Sequence, residues 1–151
     1  LAQAGERSRS LGELDRAEAM LSDGNARDPD WTWWVDPSEL AWHRAMSLAS
    51  LDDWPAAVTL FEQAAELRPT TATRARYNDA AHLLEAQVAV NAWHDAEATI
   101  PTVLAGTDDI SSARTSALLR RVVRQLERAP GHLPSGLDHA AHELRQVLQV
   151  A

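Results

Sequence analysis

"LDDWPAAVTLFEQAAELRP", residues 51 to 69, decides how the rest of the chain is read. Ala57, Phe61 and Ala64 return at four- and three-residue steps, the spacing of one helical face. Ala57 lets a second helix come close, and the bulk of Phe61 one turn later fills the space beside it. Pro69 stops the helix, because it has no N–H to continue the ladder.

The same arrangement occurs twice more. "LGELDRAEAML" (11 to 21) and "VNAWHDAEATI" (90 to 100) align without gaps on "LDDWPAAVTLF" (51 to 61). Leu11, Leu51 and Val90 correspond, then Leu14, Trp54 and Trp93, then Ala17, Ala57 and Ala96, and finally Leu21, Phe61 and Ile100, at offsets of 40 and 39 residues. A fixed period in this range predicts a solenoid of helical hairpins, each burying its apolar face only against its neighbours. Ala17, Leu21, Trp54, Ala57, Phe61, Trp93, Ala96 and Ile100 are the expected repeat core, with Trp54 and Trp93 wedged at the turn between two helices.

Working outward, Asp36 caps a helix that Pro37 opens and Glu39 supports, and that helix should run to about Leu51. Its partner covers about Pro55 to Leu67. A third hairpin takes roughly 71–89 and 93–104, closed by Gly106, and a fourth takes roughly 110–129 and 136–150, joined by the turn-rich "APGHLPSG". No stretch alternates as a strand does. The expected fold is all-α, a right-handed α-solenoid of antiparallel helical hairpins with seven complete helices and the tail of an eighth. One domain should span 1–151, with repeats at about 1–22, 37–67, 70–104 and 110–150.

Composition narrows the function. The chain has 151 residues, 45% of them hydrophobic, enough for a real core. It holds neither an apolar run long enough for a membrane span nor a secretory signal pattern, so a cytoplasmic location is expected. With no Cys, thiolate chemistry and Cys-ligated zinc are excluded. All 14 basic residues are Arg, as expected of a high-GC genome, and the net charge of −8 opposes contact between this segment and a phosphate backbone. A sequence that begins at Leu1 with "LAQAGERSR" reads as the end of a helix and a piece of a longer protein.

Residues 51–69 resemble the second half of a tetratricopeptide repeat, with Ala57, Phe61, Ala64 and Pro69 at the signature positions. In the first half, Ala41, Arg44, Ala45 and Leu48 stand where the repeat carries Trp, Leu-Gly and Tyr, and the period exceeds the usual length of about 34 residues. Further features follow in order: "WTWWVDPSELAWHRAMSLAS" before that motif, Arg74 and Arg76 in "TRARYNDAAHLLEAQ", then "ISSARTSALLRRVVRQL". Together they look like the C-terminal tetratricopeptide-like domain of Cro-like (XRE-type) helix-turn-helix regulators from high-GC Gram-positive bacteria. That resemblance implies sensing or protein interaction, with DNA bound by helices upstream of Leu1. A scaffold that recruits a partner protein without a DNA-binding segment is the alternative.

In such arrays the first helix of each hairpin lines a concave groove. The motif phase places Glu39, Trp42 and Met46 there, matched by Asn78, Ala81 and Glu85, with His43 and His82 at the edge. Asn78 could bond the backbone of an extended peptide through its amide. Arg121 and Arg124, from a run of Arg opposite the apolar Leu118, Leu119, Val122, Val123 and Leu126, could pair with a ligand carboxylate or phosphate. Trp31, Trp33 and Trp34, flanked by Asp30 and Asp36, either plug the solenoid or line a ligand pocket. His139 and His142 share a helical face but lack a third ligand, so no metal is expected. No nucleophile elbow, phosphate loop or paired-carboxylate motif occurs, so neither an enzyme nor a cofactor is expected. The expected partner is a peptide, a small signal molecule or a protein. The last helix, apolar at Leu137, Ala140, Ala141, Leu144, Val147, Leu148 and Ala151, either caps the array or forms a homodimer.

Overall fold

The structure, a computed structural model, describes residues 36–107, 112–129 and 131–150, with eight further positions between 5 and 19. Among the described residues it is all-helical, with six helices and no strand: α1 (Pro37–Ser50), α2 (Trp54–Leu67), α3 (Thr73–Ala89), α4 (Trp93–Thr107), α5 (Ala113–Glu127) and α6 (Ser135–Val150). The count expected from sequence was seven to eight. The difference falls on the N-terminal third, where Gly5, Ser8, Arg9, Gly12, Glu13, Asp15, Arg16 and Ala19 are helical. Ala17, Leu21, Trp31, Trp33 and Trp34 lie outside the described residues.

Two compact units divide the chain at Leu67 and Arg68, so that the repeats expected at 37–67 and 70–104 fall in different units. In the first, α1 packs on α2. Asp36 starts α1 as its residue types require: its carboxylate accepts the Glu39 N–H at 2.8 Å, and Pro37 follows in the first turn. Ala45 of α1 and Ala57, Phe61 and Ala64 of α2 are at most 1% exposed, so the small residues do lie where helices press together.

In the second unit α3 packs on α4 and α5, and α6 packs on α4 and α5. Their shared core joins Tyr77, Ala80, Ala81, Leu84 and Val88 of α3, Ala96, Ile100 and Val103 of α4, the expected apolar face of α5, and Leu137, Ala141, Leu144 and Leu148 of α6. Each large aliphatic side chain buried there contributes about 1.5–3 kcal/mol.

The repeat reappears in the backbone of two turns. Asp52 (φ 60°) and Asn91 (φ 58°) are both left-handed, a conformation that Asp and Asn tolerate better than other side chains. Around them the hydrogen bonds match. Asp53 N–H donates to Leu48 C=O (3.0 Å) and Asp52 N–H to Ala49 C=O (3.1 Å); Ala92 N–H donates to Gln87 C=O (2.9 Å) and Asn91 N–H to Val88 C=O (3.1 Å). Both are Schellman caps, which satisfy the last carbonyls of α1 and α3. The third copy differs. Gly12, the counterpart of Asp52 and Asn91, is helical, as is Glu13, so neither takes the left-handed turn conformation of the other two copies. Glycine fits the sequence pattern of a cap and is also tolerated inside a helix, where only propensity is lost.

Gly106 also departs from expectation. Instead of closing the helix after residue 104, it sits inside α4, which continues to Thr107. A Cβ at this position would stand 2.8 Å from Tyr77 Cγ and 2.9 Å from Tyr77 Cβ, so glycine is required for α3 and α4 to approach. His94 is the second residue of α4.

Candidate functional site

In the first unit the groove candidates share one face of α1. Glu39, Trp42 and Met46 are half-buried and His43 is exposed, its ring meeting that of Trp42 edge to face at 5.0 Å. Beside them Arg44 pairs with Asp15 at 2.6 Å, which ties the α1 surface to a helical residue of the N-terminal segment. Trp54 starts α2 and is half-buried.

In the second unit Asn78, His82 and Glu85 follow one another along α3. Ala81, expected on the groove, is instead wholly buried in the core. That correction has a simple cause: α3 is enclosed on more sides than a groove-lining helix, with Asp79, Leu83, Ala86 and Gln87 buried as well. Glu85 accepts from Arg121 of α5 at 3.2 Å, so part of the charge of that guanidinium is already used within the unit. His82 lies in the same neighbourhood. Burial, and next the positive charge of Arg121, lower its pKa from 6.5 to about 4, so it is neutral at physiological pH. Arg124 is exposed, one turn further along α5.

Asn78 belongs to a small cleft of about 350 Å³ between the start of α3 and the N-terminus of α5, lined also by Arg74, Ala75, Tyr77, Ser112 and Thr115. A larger cleft of about 850 Å³ lies between the end of α5, the connector and α6. Val123, Leu126, Leu133 and Ala141 supply its apolar wall, and Glu127, His132, Asp138, His139, His142 and Arg145 its polar rim. Sequence spacing finds His139 and His142 but not His132, which reaches this cleft from the connector. His142 is engaged: Arg145 lies 2.7 Å from its Nδ1, and Arg145 also bonds Glu127 at 2.8 Å. His139 Nε2 is 3.6 Å from Glu143. Among the described residues no three such groups gather around a point a metal could occupy.

A buried ion pair gives no sequence signal. Arg68, just past α2, donates through Nε to Asp79 Oδ2 at 2.7 Å, and the side chains are 5% and 3% exposed. It pins the connector to α3, and removing either partner would leave a charge stranded in the protein interior. The apolar face of α6 is likewise spent inside the unit. Leu137, Ala141, Leu144 and Leu148 are buried, Ala140 and Val147 half-buried, and Arg120 of α5 bonds the Leu148 carbonyl at 3.0 Å.

No protein-family model, no curated protein and no solved structure matches this chain.

Proposed function

We propose that the chain is a tetratricopeptide-like interaction domain, its helices paired as antiparallel hairpins in a right-handed solenoid. We read it as the sensory part of a bacterial transcriptional regulator, receiving a peptide, small signal or protein partner in the cytoplasm. The observation that carries the repeat reading is the duplicated cap: a left-handed Asp52 or Asn91, a Trp one step after the turn, then Ala57–Phe61 or Ala96–Ile100 buried one and two turns on. Stacked helical hairpins of this kind form extended binding surfaces, which suits recognition. The link to DNA rests on the resemblance quoted above, and the charge of −8 opposes DNA contact through this segment itself. Regulation would then be a population shift, the signal binding one arrangement of the full protein better than another.

The test uses the natural full-length protein, tagged in its host, with cross-linked DNA and co-purifying proteins read from one preparation. A small set of enriched DNA sites supports the regulator. A stoichiometric partner without enriched DNA moves the reading to the scaffold, and neither would remove both.

A further inference from the structure

We propose that the exposed arginine face of α5, carrying Arg121, Arg124 and Arg128, docks a short acidic segment of a partner protein. This names the chemistry of the partner that the interaction reading leaves open, and it rests on that reading. Five of the chain's 14 basic residues fall between Arg114 and Arg128, and Glu127 is the one acid in that stretch. Arg121, Arg124 and Arg128 stand three and four residues apart, so they share one face of the helix along about 10 Å of its length.

Packing sorts the charges of α5. Glu127 is engaged by α6, where Arg145 donates to it at 2.8 Å, and Arg120 is held there too, donating to the Leu148 carbonyl at 3.0 Å. The one acid that could balance the stripe is thus spent on the neighbouring helix. On the α3 side, Glu85 accepts from Arg121 at 3.2 Å; its side chain is 17% exposed and that of Arg121 52%, so the pair anchors the guanidinium and leaves half of it in solvent. Arg124 and Arg128 are exposed, and neither guanidinium has an ion pair among the described residues.

Like charges at these spacings repel, and the helix dipole offsets that only in part for cations in the last turn. Carboxylates offset it further, because a guanidinium offers them paired N–H donors. The net charge of −8 decides between anionic partners. A nucleic acid carries its phosphates past the stripe into the repulsive field of the rest of the chain, whereas a short acidic segment meets the local charge, fields being screened over about 8 Å in physiological salt.

The experiment follows the fluorescence anisotropy of labelled hexaglutamate as the 151-residue chain is added, with hexaglutamine and a short DNA duplex as the other probes. The expected result is saturable binding of hexaglutamate that weakens with added salt, no binding of hexaglutamine, and weaker binding of the duplex. Arg124→Glu combined with Arg128→Glu should weaken hexaglutamate binding by about tenfold or more. Arg9→Glu combined with Arg16→Glu makes the same change in net charge at exposed positions elsewhere and should weaken it by less than about twofold. Equal losses in the two double variants, tighter binding of the duplex, or no saturation with hexaglutamate would overturn the docking face. None of these results decides whether DNA or a partner is recovered with the tagged protein from its host, so the face can fail while the interaction reading stands.

Discussion

The pairs α1–α2 and α3–α4 are built on one turn but finish differently. Each begins with a left-handed residue, a half-buried Trp at the start of the second helix, and a buried small-to-large step: Ala57 to Phe61 in one, Ala96 to Ile100 in the other. At the far end the equivalence breaks. Leu67, at the last position of α2, is 48% exposed, whereas its counterpart 39 residues on, Gly106, is buried beneath Tyr77. A repeat therefore fixes the start of the second helix through local backbone chemistry and leaves its end to whatever packs there.

Substituting that matched pair should give the largest contrast. Gly106→Leu forces a side chain into the Tyr77 ring and should cost about 3 kcal/mol or more, because overpacking must displace a core aromatic. Leu67→Ala, on an exposed face, should change stability by no more than about 0.5 kcal/mol. Urea unfolding of both variants measures the difference, and similar costs would mean that α4 does not press on Tyr77.

This contrast marks the limit of what the sequence discloses. Asp36 and Pro37 show where α1 starts, and Pro69 shows where α2 cannot continue, because capping and proline chemistry act over a few residues. Gly106 resembles a stop signal and is instead a contact with a residue 29 positions earlier. Arg68 and Asp79 give no warning of their ion pair, since nothing in composition or period tells a buried Arg from the many exposed ones. The site divides the same way. Asn78, His82, Glu85 and Arg121 were legible as polar positions on helical faces, but the Glu85–Arg121 pair depends on how α3 meets α5.

The two histidines 39 residues apart sharpen the comparison through pH. His43 is exposed on α1, while His82 is half-buried on α3 near the Arg121–Glu85 pair. With its folded pKa near 4 against 6.5 when unfolded, His82 binds a proton in the unfolded chain but not in the folded one between those values. Stability should therefore be unaffected by this group above pH 6.5 and fall as pH drops toward 4, by roughly 3 kcal/mol in all. His82→Gln should flatten that part of the profile in denaturant titrations at several pH values. Arg121→Ala should shrink that loss slightly and end it at a higher pH, because removing the smaller of the two causes brings the folded pKa part of the way back toward 6.5. A profile unchanged by His82→Gln would show that the imidazole is not excluded from water.

The smallest effect tests the repeat itself, because the three aligned positions Gly12, Asp52 and Asn91 should respond to alanine with opposite signs. At Asp52 and Asn91 the left-handed backbone disfavours a Cβ that lacks a local polar contact, so Ala should destabilise by about 1 kcal/mol and Gly should be neutral or better. At Gly12 the backbone is helical and a Cβ would meet nothing within 4 Å, so Ala should stabilise by about 0.5–1 kcal/mol through propensity and lost unfolded-state freedom. Stabilisation by Gly12→Ala together with losses at the other two positions would mean that only two copies keep the turn. A loss at all three would restore the third turn, and with it the regular array that the sequence period implies.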